Sequence, residues 1–219
     1  MSAGPVSPEA GPDLTAEGFA DLAGASELQV EDLRRLLAAL TDWNSRMNLV
    51  GASTLPEFWS RHAWDSAQLL SIAPEADVWA DLGAGAGFPG LVLAVMLKAR
   101  PGARVHLVES MAKRCRFLSE MVAALDLPAT VHNARAESLK LKVDVVTARA
   151  CAPLPRLLGY ARPYFDRGAT GLFLKGADVG AEIDDAHKTW AFRADILPSR
   201  SDSRGRVLRI ERLVRAAKP

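Results

Sequence analysis

The stretch ADLGAGAGFPG, residues 80–90, decides the fold of this 219-residue chain. Gly83, Gly85 and Gly87 alternate with alanines, and Pro89 precedes a fourth glycine, Gly90. The apolar run DVWADL (77–82) leads in, and LVLAVMLK (91–98) leads out. Apolar run, glycine-rich turn and second apolar run predict a strand, a tight turn and a helix.

The same alternation continues downstream. Strands are expected at 77–82, 104–109, 129–134, 143–148, 169–175, 190–197 and 206–214, with helices at 90–98, 111–125, 154–164 and 179–189. Strands alternating with helices imply βαβ units and a mostly parallel sheet. Upstream the pattern is helical. SELQ (26–29) reads as a capping box. Leu33, Leu36, Leu37, Leu40, Trp43 and Met47 then recur at helical spacing, which predicts an amphipathic helix over 27–46. TLPE (54–57) opens a second helix, with Pro56 at its first position. Phe58, His62, Ser66, Leu69 and Leu70 share one of its faces, and Arg61, Asp65 and Gln68 share another. Residues 1–25, rich in Pro, Gly, Ala and acids, read as a mostly disordered acidic tail. The expected organisation is that tail, a helical extension over 26–72 and an α/β domain over 73–219.

Bulk properties narrow the class. Hydrophobic residues make up 49% of the chain, enough at this length to bury a core without staples. Cys115 and Cys151 form no paired framework and lack metal-ligand spacing, so no metal is expected and a reducing, cytoplasmic setting fits. No apolar run reaches membrane-spanning length, and no secretory signal is visible. The net charge of +1 hides an asymmetry: residues 1–33 hold seven acids and no Lys or Arg, whereas 187–219 hold nine bases against three acids. A basic end points to an anionic partner, and a solvated Arg-rich edge hairpin explains it as well.

Turns of this kind serve two cofactor classes. A dinucleotide fold places G-x-G-x-x-G directly after the first strand. Gly85, Gly87 and Gly90 match formally, but the turn begins at Gly83, two residues too early. Counted from Gly83, the third glycine position holds Phe88. Asp81, an acid just before the first glycine, completes D-x-G-x-G-x-G, which resembles motif I of class I S-adenosylmethionine-dependent methyltransferases. Glu109 ends the next strand, where an acid can accept ribose hydroxyls in either class.

The flanks sharpen the resemblance. WNSRMNLV (43–50), RHAWDS (61–66), DLGAGAGFPG (81–90), LVESMAKRCRFL (107–118), ARAE (134–137), TARA (147–150) and LKG (174–176) occur in this order. Together they resemble the RsmG (GidB) family, over roughly residues 30–215. The resemblance implies a Rossmann-like class I methyltransferase fold: a mostly parallel seven-stranded sheet, helices on both faces and an N-terminal helical extension. It implies S-adenosylmethionine as cofactor, and methyl transfer to N7 of a specific guanosine in 16S ribosomal RNA, free or in the small subunit. By the same resemblance Gly83, Phe88, Ala136, Glu137 and Arg149 contact the cofactor, and Glu109 and Ser110 lie at its ribose; Gly85 joins them from the glycine motif.

Guanine N7 already presents an in-plane lone pair and carries no proton near neutrality. Its methylation calls for alignment and water exclusion, not a general base. No catalytic base is therefore expected, and Arg149 is the candidate organiser, with an ion pair to Asp81 or Glu109 as its structural alternative. The place where amine methyltransferases carry N/D-P-P-Y/F reads TARACAPL (147–154), and Cys151 follows Ala150 rather than a proline, so it reads as a buried, inert thiol. Arg61, His62, Lys113, Arg114, Lys175 and Arg200 are the candidate RNA contacts. For His62 a satisfied core position, and for Lys113, Arg114 and Arg116 a solvated helix face, are the competing explanations. A small-molecule methyltransferase, a nicotinamide-dependent oxidoreductase and a non-catalytic ribosome-binding module remain as alternatives.

Overall fold

The computed structural model describes residue 11 and residues 13–216. Of the expected tail, residues 1–10 and 12 lie outside the described residues. Within the described part the tail reading is corrected, because 16–23 is helical. Helix α1 (Ala16–Ala23) has Thr15 as N-cap, its Oγ1 accepting from Gly18 N at 3.1 Å, and Gly24 as a left-handed C-cap. Its Phe19 is fully buried, with its ring 5.5 Å from that of Trp59. Composition hid this helix, and one aromatic anchor between two good caps holds it.

Helix α2 (Glu27–Met47) begins with the expected capping box of Ser26 and Gln29. Gln29 also donates from Nε2 to Met96 O at 2.8 Å, on the end of α4 (Gly90–Met96). Lys98 joins half-buried to Asp32 of α2 at 2.9 Å and donates to Leu125 O. The extension thus packs directly on the α/β part, sharing one apolar cluster from Phe19 and Leu33 through to Leu172.

The second helix departs from expectation. Pro56 sits in a turn, and the helix starts at Phe58, wound as π-helix over Phe58–Trp64 before continuing as α3 (Asp65–Ile72). The wider winding is a tertiary matter: Phe58 is locked edge-on to both Trp59 and Phe88. Such turns concentrate at functional sites.

Seven strands follow: β1 (Val78–Leu82), β2 (Arg104–Glu109), β3 (Ala129–Asn133), β4 (Val145–Arg149), β5 (Thr170–Lys175), β6 (Trp190–Pro198) and β7 (Arg206–Arg215). The sheet order is β3-β2-β1-β4-β5-β7-β6. Strands β1 to β5 run parallel, and the β6–β7 hairpin closes one side antiparallel. The central strands are buried on both faces and correspondingly apolar, as parallel strands must be. Helices α5 (Ala112–Ala124), α6 (Leu154–Phe165) and α7 (Val179–His187) complete the cover. Chain order reverses between β1 and β4, which opens a crevice at the strands' carboxyl ends.

Candidate active site

A cleft of about 1240 Å³ occupies that crevice. Small-molecule pockets commonly hold roughly 300–1,000 Å³, so this one has room for a cofactor and part of a second ligand. Its floor is the glycine turn, residues 83–86 with Phe88; one side is Ala150–Pro153 after β4 and residues 174–177 at the end of β5. The other side comes from the helical extension: Leu49–Gly51, Thr54, Arg61, His62 and Asp65. The β6–β7 loop adds Ser199, Ser201, Asp202 and Arg204–Arg206 to the lining.

Two buried carboxylates hold the glycine turn. Asp81, 1% exposed, accepts from Gly90 N at 2.9 Å and from Thr147 Oγ1 at 3.4 Å. Burial pushes its carboxyl up to about 7, against the pull of the Gly90 hydrogen bond. Glu109, 4% exposed, accepts from Gly85 N at 3.1 Å and from Met111 N at 2.8 Å. Arg114 stands 3.7 Å from it. Gly85 has φ +53, a backbone state that side chains disfavour, and a Cβ built there would meet only Gly83 O, at 3.5 Å. Gly83 is required for a different reason: its Cβ would lie 2.6 Å from Cys151 Sγ. The turn is therefore a bare-backbone cradle open to the cleft at Gly85.

Arg149 ends β4 and reaches across to the extension. Its Nη1 donates to Arg61 O at 2.6 Å and to Asp65 Oδ2 at 3.3 Å, and its Nη2 donates to His62 Nδ1 at 2.9 Å. The expected partner, Asp81 or Glu109, is corrected: the ion pair is with Asp65 of α3. A guanidinium only donates, so His62 Nδ1 must accept and Nε2 must carry the proton. That proton goes to Thr54 Oγ1 at 3.0 Å, whose hydroxyl in turn donates to Gly51 O at 2.8 Å. Burial first, then Arg149, pulls His62 down to about 3, so it is neutral. Its ring stacks on Phe88 with centroids 4.6 Å apart, and the Arg149 guanidinium lies 5.0 Å from the same ring.

Asp65 is held in turn. Its Oδ1 accepts from Ser201 Oγ at 2.6 Å and from Gln68 Nε2 at 3.1 Å. Gln68, 2% exposed, reaches Ser199 Oγ at 3.1 Å and accepts from Arg200 N at 2.8 Å. This network ties the β6–β7 loop to α3. The sequence displays Arg61, Asp65 and Gln68 as one helix face but gives no sign of what that face meets. Ala150, also on the cleft, holds φ +50, a left-handed state costing a non-glycine residue about 1–2 kcal/mol.

The cleft brings together Gly83, Gly85, Phe88 and Arg149 with Arg61, His62, Arg114 and Lys175. Glu109, Ser110, Ala136 and Glu137 lie outside its lining, along the same carboxyl edge after β2 and β3. Two RNA candidates are corrected. His62 is 5% exposed with both ring nitrogens engaged. Lys175 is committed to Glu182 Oε2 at 2.7 Å and to Ala152 O at 3.3 Å. Arg200 stacks on Trp64 at 5.0 Å, just outside the cleft lining, and stays a candidate contact. Lys113 lines a separate groove. Cys151, expected buried, is half-buried on the cleft, and burial raises its thiol to about 11, which keeps it protonated and unreactive. Among the described residues of the basic C-terminal segment, Arg204 and Arg206 line the cleft and Arg200 lies beside it; Arg209 pairs with Asp195 at 2.7 Å, and Arg215 stacks on Trp190.

A seven-stranded sheet of this order, with a glycine cradle and a large cleft at its switch point, defines the Rossmann-like S-adenosylmethionine-dependent methyltransferases. Solved structures with the same fold include cofactor-bound Rv0187 from MTB (TM-score 0.60, 17% identity, 91% of this chain and 96% of that one). Another is a mutant of MtNAS in complex with S-adenosylmethionine (TM-score 0.55, 14% identity, 90% and 84%). The GidB family model, described as rRNA small subunit methyltransferase G, matches residues 29–202, and the chain belongs to that family. Among similar relatives, the ribosomal RNA small subunit methyltransferase G of Caulobacter vibrioides (strain NA1000 / CB15N) is 59% identical over 92% of this chain and 94% of its own. That of Methylorubrum populi is 49% identical over 82% and 86%. Among the described residues no helix is long and apolar enough to cross a membrane.

Proposed function

We propose that this enzyme transfers the methyl group of S-adenosylmethionine to N7 of a guanosine in 16S ribosomal RNA. The observation that carries this reading is the chemical quiet of the cleft. His62 is neutral with both nitrogens engaged, the Cys151 thiol is protonated, and Asp65 and Lys175 are held in ion pairs. Among the described residues nothing there is poised as base or nucleophile, and N7 needs neither.

The cofactor brings an activated methyl on a cationic sulfur. The bare backbone at Gly85 and the ring of Phe88 suit its methionine end; Glu109 and Ser110 suit its ribose, and Ala136 and Glu137 its adenine. Glu109 uses one lone pair of each oxygen on a backbone N–H and keeps others for hydroxyls. Arg149 uses three of the five N–H donors of a guanidinium on protein, leaving two for cofactor or guanine. Held by Asp65, His62 and Arg61 O, it orients rather than ionises its target. Arg61, Arg114, Arg204 and Arg206 at the mouth suit RNA phosphates.

Incubation with labelled S-adenosylmethionine and either naked 16S rRNA or small subunits, followed by nucleoside analysis, tests this. Label is expected in 7-methylguanosine, at a single-turnover rate nearly flat between about pH 6.5 and 8.5 with saturating cofactor. Label in another nucleoside, in a small-molecule pool, or a rate rising steeply through one ionisation would overturn it.

A further inference from the structure

A second groove, of about 210 Å³, lies beside the cleft, between the end of α2 and the start of α5. Trp43 and Met47 form its apolar side, and Arg46, Lys113 and Arg116 its cationic side. It is smaller than the roughly 300–1,000 Å³ of ordinary small-molecule sites, so it suits one planar group rather than a whole ligand. Trp43 is half-buried and fixed edge-on to the buried Phe117 at 5.7 Å, with its Nε1 turned to Glu120 at 3.4 Å. The indole is thus held rigidly, and the Arg46 guanidinium, paired with Asp42, lies 5.5 Å from its ring. Lys113 and Arg116 are exposed, and among the described residues neither has an ion pair. Nearby, Asp42 pairs with Arg46 and Glu120 accepts from Trp43 Nε1.

The groove and the cleft share elements. The first turns of α5 send Arg114 to the cleft and Lys113 and Arg116 to the groove; the α2 terminus sends Met47 to the groove and Leu49–Gly51 to the cleft. The turn is fixed by Asn44, whose Oδ1 accepts from Val50 N at 2.9 Å. A chain entering the cleft over this rim would pass the groove. A rigid aromatic face flanked by free cations is the arrangement that binds single-stranded nucleic acid: the ring stacks a base, and the cations meet its phosphates.

We propose that this groove is a second docking point for the RNA substrate, in which Trp43 stacks an unpaired base near the target nucleotide and Lys113 and Arg116 hold its phosphates. The proposal rests on the rRNA reading above. The test measures binding of protein-free 16S rRNA across a salt series, and methyl transfer to it, for the whole protein and for Lys113→Glu/Arg116→Glu and Trp43→Ala. Cofactor affinity and thermal unfolding serve as controls. The charge-reversal pair sits on an exposed helix face and keeps the test open if Trp43→Ala, which loses its packing on Phe117, folds poorly. The pair is expected to weaken RNA binding about tenfold and to flatten the slope of log K on log salt by at least about 1.4, two single-strand phosphate contacts. Trp43→Ala is expected to raise KM for RNA about tenfold or more. In both, kcat and cofactor affinity stay unchanged. Unaltered RNA binding and slope in the charge-reversal pair would overturn the groove while leaving the enzyme's function standing. So would a loss seen on assembled subunits but not on protein-free RNA, since that would make the occupant a protein. A wild-type protein that neither binds nor methylates rRNA would overturn the functional reading and the groove with it.

Discussion

The two walls of the cleft are built by different means. The sheet wall is local: Asp81 bonds Gly90, nine residues on, and Glu109 bonds Gly85 within the same βαβ unit. The helical wall is assembled at long range: Arg149 meets Arg61, His62 and Asp65 from more than eighty residues away, and Ser201 meets Asp65 across 136. The local wall can form as soon as its βαβ unit pairs. The other exists only once extension, sheet and hairpin have docked. A local cradle suits a cofactor that always has the same shape, whereas a wall made of three elements can couple substrate arrival to the positioning of Arg149.

The comparison is broken most severely at the cradle. Gly85→Val puts a branched side chain at φ +53 and into the cleft. We expect cofactor affinity to fall by about 100-fold or more, from the strain of a left-handed residue together with the lost approach of backbone to ligand. Gly102→Val is the control: at φ +81, with nothing within 4 Å of its Cβ, it carries the same kind of strain far from the cleft. Calorimetry should find its cofactor affinity unchanged. If both variants lose affinity equally, global destabilisation is the cause and the cradle loses its role.

Next comes the seam between the walls. Arg149→Lys keeps the charge but cannot span Arg61 O, Asp65 and His62 at once, so the single-turnover rate should fall by about 10- to 100-fold, with cofactor affinity changed far less. Asp65→Asn, which keeps the shape and removes the charge, should lose less, on the order of tenfold, because Ser201 and Gln68 still hold the side chain. Equal rates for wild type and Arg149→Lys would show that the seam is structural only.

The smallest effect concerns pH, and its sign differs between the walls. Asp81 has its folded pKa raised to about 7, so its stabilising contribution is complete below about 3.8 and is lost as pH rises through 7. His62 has its folded pKa lowered to about 3, so its contribution is complete above about 6.5 and is lost as pH falls through 3. The two slopes oppose each other between about pH 4 and 6.5, which flattens the wild-type profile there. Denaturant titrations should show Asp81→Asn losing stability on acidification more steeply than wild type, and His62→Gln losing it on alkalinisation. Parallel profiles for all three proteins would mean that neither group is held neutral by the fold.

The strand ends, the glycine turn and the two acids that brace it were legible in the sequence because each is a local rule. Apolar runs mark buried parallel strands, glycine marks positive φ, and an acid at a strand's carboxyl end marks the crevice. The motif series pointed to the family for the same reason: it is short stretches in order. Four features were not legible: the helix over 16–23, the π-wound turn at 58–64, the partner of Arg149 and the sealing of Lys175 by Glu182. Lys175 and His62 looked like RNA contacts because type and neighbourhood are all a sequence displays.

By itself, then, the sequence determined the doubly wound sheet, the glycine turn and the placing of Arg149 at a strand end, since backbone conformation and burial pattern follow from nearest neighbours along the chain. Only the tertiary structure decided which charges are free and which are neutralised. That depends on distances of about 3 Å between residues scores of positions apart, and on how much water each group loses. The same packing made His62 a neutral strut and, among the described residues, left Lys113 and Arg116 without an ion pair beside a fixed indole.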